Sequence, residues 1–148
     1  MKLVIQRVKK AILYIEDKYE GEIGKGFVAF VGIGEKDTSE EVKYIGEKLL
    51  NLRIFEDEKN KMNYSISQID GELMVVSQFT LYGDTKRGNR PDFTQAAKPD
   101  KALFLYNELL NFLNGKVKKL ICGKFGSKML VEIHNDGPVT IILETKNG

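Results

Sequence analysis

Phe27-Val28-Ala29-Phe30-Val31-Gly32-Ile33-Gly34 is a short, almost uniformly apolar run, and Thr38-Ser39-Glu40-Glu41 follows it closely. A run of this length without polar alternation reads as a strand buried on both faces. Thr38 with Glu41 three residues on forms a capping box, the signature of a helix start. Val42, Ile45, Leu49 and Leu52 then recur at spacings of three and four, which draws one apolar stripe along that helix. A strand feeding a helix is therefore the seed from which the rest of the chain is read.

Toward the N-terminus, residues 2–15 are rich in Val, Ile and Leu and alternate in places, as a strand does. Asp17-Lys18-Tyr19-Glu20-Gly21 marks a turn. On the other side, Glu56-Asp57-Glu58-Lys59-Asn60-Lys61 reads as a hairpin loop after Arg53-Ile54-Phe55. Leu73-Met74-Val75-Val76-Ser77-Gln78-Phe79-Thr80-Leu81 reads as a strand that begins apolar and then admits polar residues. Residues 83–94 form a polar, basic loop. A second helix starts at Pro99-Asp100, carries the stripe Ala102, Leu103, Tyr106, Leu109, Leu110 and Leu113, and closes at Gly115. Strands over 116–122 and 127–134, a turn at Asn135-Asp136-Gly137-Pro138, and a last strand over 139–144 complete the chain. The expected fold class is α+β. It is a single domain over 1–148, with a mostly antiparallel or mixed, barrel-like sheet and two main helices packed on it.

Composition narrows the function classes. At 148 residues with 42% apolar and 30% charged residues, the chain has the make-up of one globular domain. No apolar run approaches the roughly 20 residues of a spanning helix, so no membrane partner is expected. Met1-Lys2-Leu3-Val4-Ile5-Gln6-Arg7 turns charged too soon for a signal-peptide core, which favours a cytoplasmic location. Cys122 is the single cysteine and His134 the single histidine, so no metal site of His/Cys type and no cofactor are expected. Cys122, on a strand, reads as a buried, inert thiol. The net charge of +2 is too small for a dedicated duplex-DNA binder, and no DNA partner is expected. Acids cluster between Glu16 and Glu58, whereas Lys86, Arg87, Arg90, Lys98, Lys101, Lys116, Lys118, Lys119, Lys124 and Lys128 follow with few acids among them. That half fits an RNA backbone partner and, equally, a plain solvated face.

Two short motifs carry the chemistry. Ser77-Gln78-Phe79-Thr80 places two hydroxyls and an amide at the end of an apolar strand. Alternation would put Ser77 and Phe79 on one face and Gln78 and Thr80 on the other. Such groups serve either as ordinary strand-end hydrogen-bonders or as donors around a reacting carbonyl. Asn135-Asp136-Gly137-Pro138 is either a simple hairpin turn or a functional loop, in which Pro138 removes a ladder donor. A hydroxyl nucleophile needs a base, and one triad only is open, Ser77 with His134 and Asp136. Its geometry is poor, because a turn residue two positions from the histidine rarely orients it. His134 reads better as a partly exposed strand residue.

Jointly, these segments resemble the D-aminoacyl-tRNA deacylase family along nearly the whole chain. The resemblance rests on Ile5-Gln6-Arg7-Val8, Leu52-Arg53-Ile54-Phe55, Ser77-Gln78-Phe79-Thr80-Leu81-Tyr82-Gly83-Asp84, Gly88-Asn89-Arg90-Pro91-Asp92-Phe93, Gly123-Lys124-Phe125-Gly126 and Asn135-Asp136-Gly137-Pro138-Val139-Thr140. Departures, at Gly83 and His134, lie outside the two motifs' core residues. The resemblance implies hydrolysis of the ester joining a D-amino acid to the terminal adenosine of tRNA, by a homodimer with active sites at the subunit interface. It implies a cis Gly137-Pro138 bond inserted into the partner's pocket as a chiral filter. Glycyl-tRNA, including glycine mischarged on tRNA(Ala), would pass that filter for want of a side chain. Arg7 would hold the Gly-Pro loop, and Phe79 and Thr80 would offer backbone N–H groups to the scissile carbonyl. Ser77 and Gln78 would shape the adenosine end, with Phe125, Met129 and Ala102 lining the pocket. The Thr80 hydroxyl would be either the nucleophile or a bystander to activation of water by the tRNA 2′-OH, and the second is preferred because Thr80 has no evident base. The rivals are a small esterase using the Ser77 triad and an RNA-binding module without turnover.

Overall fold

The computed structural model describes residues 1–146. Eight strands and two α-helices follow one another: β1 (Lys2–Ile15), β2 (Lys18–Ile23), β3 (Gly26–Gly32), α1 (Ser39–Asn51), β4 (Phe55–Glu56), β5 (Met62–Tyr64), β6 (Glu72–Ser77), α2 (Pro99–Leu113), β7 (Lys119–Cys122) and β8 (Met129–Glu144), with a 3-10 turn at Phe79–Tyr82. The capping box forms as expected, since Thr38 accepts from the Glu40 backbone and the Glu41 carboxylate accepts from the Thr38 N–H. The Thr38 hydroxyl, which also donates to the Glu41 carboxylate, and then the Thr38 N–H hold the Glu41 carboxyl below its usual range. The hairpin also forms, as β4 and β5 pair antiparallel.

The central element is β1. One of its edges pairs antiparallel with β8 from Lys2 to Ile15. The other is shared, with β3 along residues 2–8 and β2 along 11–15. Two parallel steps, β3 to β6 and β6 to β7, then extend the sheet. The sheet curls until β2 approaches β7, where the Lys119 ammonium donates to the Glu22 carbonyl and Ile121 packs on Gly21. The result is the mixed, nearly closed barrel with two helices that the sequence led us to expect.

Two apolar layers fill it. Leu3, Ile5, Phe27, Ala29, Leu73 and Val75 meet the buried faces of α1 and α2. Val8, Leu13, Val28, Met74 and Val76 form a second cluster on the opposite face, inside the curl. Residues of β3 and β6 thus face apolar partners on both sides, which explains their uniform apolar runs. At one end of β1 and β8, the buried Met1 ammonium donates to Asp37 at 2.6 Å and to Thr145 at 2.5 Å.

Four expectations need correction. The turn expected from Asp17 to Gly21 is a two-residue turn at Glu16-Asp17, both with positive φ, and Lys18–Ile23 is a strand. That strand is polar where its first half, Lys18 to Glu20, is exposed. The strand expected through Leu81 ends at Ser77. The strands expected over 127–134 and 139–144 are one strand, β8, with no hairpin between them. In α2, Leu105 is buried where Leu103 was expected, and Leu103 is exposed.

Candidate active site

β8 stays on β1 by bulging. Asn135 stands opposite Val8 and Thr140 opposite Gln6, so residues 136–139 face the single Arg7. Extra residues in one strand must leave the ladder, and here they project as an exposed loop. The Gly137–Pro138 bond within it is cis.

Buried polar contacts fix this loop. Arg7 is 6% exposed. Its Nε donates to the Asp136 carbonyl at 3.0 Å, and Nη1 donates to the Ile54 carbonyl at 2.7 Å. The Glu56 carboxylate lies 3.5 Å from Nη2, and the Asp136 carboxylate sits between Arg7 and Lys9 at 3.8 and 3.7 Å. A planar guanidinium can serve several fixed acceptors at once, which a lysine cannot. At the base, Asn135 accepts from the Val139 N–H at 3.1 Å and donates to the Thr140 hydroxyl at 2.9 Å. Gln6 reaches the same hydroxyl. Gly137 has φ +127, and a Cβ there would stand 2.9 Å from an Arg7 nitrogen. Only glycine suits that position.

The second motif opens a cavity of about 920 Å³, the upper size range of small-molecule sites. Ser77, Gln78 and Phe79 line it from the end of β6, Ala102 from α2, Phe125 from the β7–β8 connection and Met129 from the start of β8. Where β6 ends, the chain tightens into the 3-10 turn, so the expected alternation of faces stops at Ser77. The first turn donor is Leu81, to the Gln78 carbonyl. The N–H groups of Phe79 and Thr80 precede it and have no turn carbonyl to bond. Phe79, 58% exposed, meets Phe93 edge-on at 5.1 Å. Tyr106 steadies the wall from behind: its hydroxyl is shared between the Val75 and Gly123 carbonyls.

Of the ten residues singled out in the sequence, six line this cavity: Ser77, Gln78, Phe79, Ala102, Phe125 and Met129. Thr80 stands beside it in the turn. Its hydroxyl accepts a hydrogen bond from the Gln78 amide, and among the described residues neither a carboxylate nor His134 joins it. Arg7, Gly137 and Pro138 form a separate cluster that does not line the cavity. The alternative triad is not assembled. His134 lies exposed on β8, the Asp136 carboxylate turns to Arg7 and Lys9, and no hydrogen bond links either to Ser77 among the described residues. Cys122 is only partly buried, where a buried thiol was expected, yet that burial raises its thiol above its usual range, which suits an inert side chain.

Sequence reasoning missed the supports. Asn135 and Thr140 read locally as turn and strand, although an amide five residues before a hydroxyl, flanking Gly-Pro, is a visible pairing. Phe93 and the Ile54 carbonyl have no local signal, because only the fold brings them in.

A family model described as D-Tyr-tRNA(Tyr) deacylase matches residues 4–144. The chain is 51% identical over 146 residues to a D-aminoacyl-tRNA deacylase of Bacillus licheniformis, covering 99% of both chains. It is 50% identical over 145 residues to one of Thermotoga petrophila, covering 98% of this chain and 97% of that one. Among solved structures, it superposes on a protein titled c-Myc DNA Unwinding Element Binding Protein with TM-score 0.92 and 40% identity, over 98% of this chain and 99% of that one. A probable eukaryotic D-amino acid tRNA deacylase shares the fold, with TM-score 0.86 and 19% identity over 96% and 97% of the two chains.

Proposed function

This chain belongs to the D-aminoacyl-tRNA deacylase family and is a hydrolase of aminoacyl-tRNA, and from that premise we propose how its two motif segments divide the reaction. The cavity at the end of β6 receives the D-aminoacyl group and the terminal adenosine. Ser77 and Gln78 shape the adenosine end, and the N–H groups of Phe79 and Thr80 point at the ester carbonyl as charge develops on it. Phe125, Met129 and Ala102 give the side chain an apolar wall.

Selection falls to Gly137 and Pro138 of a second copy of the chain. The observation that supports this is the placement of the bulge: rigidly held by Arg7, exposed, and away from the cavity of its own chain. A loop fixed by buried bonds yet pointing into solvent is suited to entering a partner's cavity. A homodimer with active sites at its interface follows. Rigid backbone carbonyls at the place of an L side chain reject that enantiomer by repulsion. Glycine offers nothing to repel, so glycyl-tRNA, including glycine on tRNA(Ala), is also cleaved. The tRNA 2′-OH assists the attacking water, since Thr80 lacks a base. No cofactor takes part, and the reaction belongs in the cytoplasm, where aminoacyl-tRNA is used.

Matched D- and L-aminoacyl-tRNA, incubated with the purified protein while free amino acid is measured, test the reading. Rapid release from the D-ester and almost none from the L-ester are expected, with a dimeric mass in solution. Equal rates on both enantiomers would sink the chiral filter.

A further inference from the structure

Residues 83–94, between the 3-10 turn and α2, supply Phe93 and Thr94 to the cavity. The loop is clasped at its base, where Asp84 and Asp92 exchange backbone hydrogen bonds of 2.8 and 2.9 Å. Its two acids are engaged by the loop's own backbone. The Asp84 carboxylate accepts from the Lys86 N–H and the Asp92 carboxylate from the Thr94 N–H, each at 2.8 Å. Its cations, Lys86, Arg87 and Arg90, are exposed, and among the described residues none makes an ion pair or side-chain hydrogen bond.

The same holds elsewhere around the opening. Lys98 lines it, and Lys124 and Lys128 flank the cavity residues Phe125, Gly126 and Ser127. None of these three ammonium groups has a carboxylate within salt-bridge distance among the described residues. The paired cations, Lys2, Arg7, Lys9, Lys10 and Lys118, belong to other parts of the chain. The apolar cavity is thus rimmed from three segments by cations, of which those of the 83–94 loop are the least compensated, since the Glu35 and Glu16 carboxylates accept from the backbone N–H groups of Lys98 and Lys128. Concentrated at one opening, these cations create a field for an extended anion whose end enters the cavity.

We propose that this rim, and the 83–94 loop above all, binds the phosphodiesters of the tRNA 3′ end and acceptor stem. The proposal rests on the aminoacyl-tRNA reading. Lys86, Arg87 and Arg90 supply affinity through charge and counterion release, while the cavity alone handles the acyl-adenosine.

The test is the combined variant Lys86→Ala/Arg87→Ala/Arg90→Ala, compared with the parent dimer on two substrates: D-tyrosyl-tRNA and its phosphate-free counterpart, 3′-O-D-tyrosyl adenosine. Expected is a fall in kcat/KM of about tenfold or more on the tRNA ester at low salt. The plot of log kcat/KM against log salt should flatten by about one for each phosphate no longer neutralised. Turnover of the adenosine ester should stay unchanged, and Lys86→Arg/Arg87→Lys/Arg90→Lys should restore the tRNA activity. Equal losses on both substrates would mean that the loop shapes the pocket through Phe93, and would overturn the proposal. So would an unaltered salt slope. Binding of labelled, uncharged tRNA is followed separately by anisotropy. Loss of binding in the variant supports the rim even if the parent cleaves neither ester, a result that would remove the deacylase reading alone. Competition by duplex DNA as effective as that by tRNA would overturn the assignment to tRNA.

Discussion

The bulge at residues 136–139 and the strand end from Ser77 to Tyr82 both leave the sheet ladder, but they are held in opposite ways. The bulge is bonded on every side: Arg7 from β1, the Ile54 carbonyl and Glu56 behind the guanidinium, Asn135 and Thr140 across its base. The strand end keeps its first turn N–H groups without turn partners, and its hydroxyls have few bonds. One segment is over-determined and the other is left with unused donors. A group that must discriminate by shape has to resist displacement, whereas a group that must bind a changing carbonyl needs free donors aimed at it. The difference fits a rigid selector and a receptive ester site.

Breaking the selector should have the largest effect. Arg7→Ala would leave the Ile54 and Asp136 carbonyls without their donor in a buried setting. We expect a stability loss of about 2–4 kcal/mol in denaturant titration, with D-over-L discrimination abolished in whatever remains folded. Arg7→Lys should recover little, because one ammonium cannot span both acceptors. A folded Arg7→Ala protein with its D/L ratio intact would show that the bulge does not need the clamp.

A subtler change sharpens the same contrast. Gly137→Ala combines a left-handed backbone with contacts at 2.8 and 2.9 Å to Val139 and Arg7, whereas Gly126, at φ +77, has nothing within 4 Å of a new Cβ. The second site costs only its backbone preference, about 1 kcal/mol. At the first, the loop itself must move, and a shift of about 1 Å in a positioned group costs on the order of 10²-fold in rate. D-aminoacyl-tRNA turnover should therefore fall far more in Gly137→Ala than in Gly126→Ala. Comparable kcat/KM values for the two would remove the special role of the bulge.

The contrast also explains what the sequence could show. The α1 start was legible because a capping box is local: Thr38 and Glu41 interact within one turn. The hairpin at β4 and β5 was legible for the same reason. The bulge was not, since Asp-Gly-Pro between apolar segments looks like a turn until pairing with β1, more than a hundred residues away, is known. β2 was hidden by its polar, exposed composition. Arg7 as a clamp, and the union of Gly137 with Pro138 as a unit, were legible only through family resemblance. The cavity draws its walls from β3, β6, α2, β8 and three connections between elements, and no local pattern encodes such a meeting.

The smallest effect belongs to the obvious catalytic candidate. Thr80 has the only hydroxyl in the 3-10 turn besides buried Tyr82, and its one hydrogen bond comes from Gln78, a neutral amide. A nucleophilic hydroxyl must lose its proton to a base, and among the described residues neither His134 nor a carboxylate is hydrogen-bonded to it. The backbone N–H of Thr80, in contrast, survives any side-chain substitution. Thr80→Val keeps the shape and the N–H and removes the hydroxyl, so its kcat on D-aminoacyl-tRNA should stay within about tenfold of the parent, the scale of a single positioning group. The complementary substrate, ending in 2′-deoxyadenosine, should be cleaved on the order of 10²-fold more slowly, because it lacks the group proposed to activate water. If folded Thr80→Val binds tRNA normally but loses several orders of magnitude, while the deoxy ester reacts at the ordinary rate, then the protein supplies the nucleophile. The strand end would then be a catalytic centre, with donors that are more than receptive.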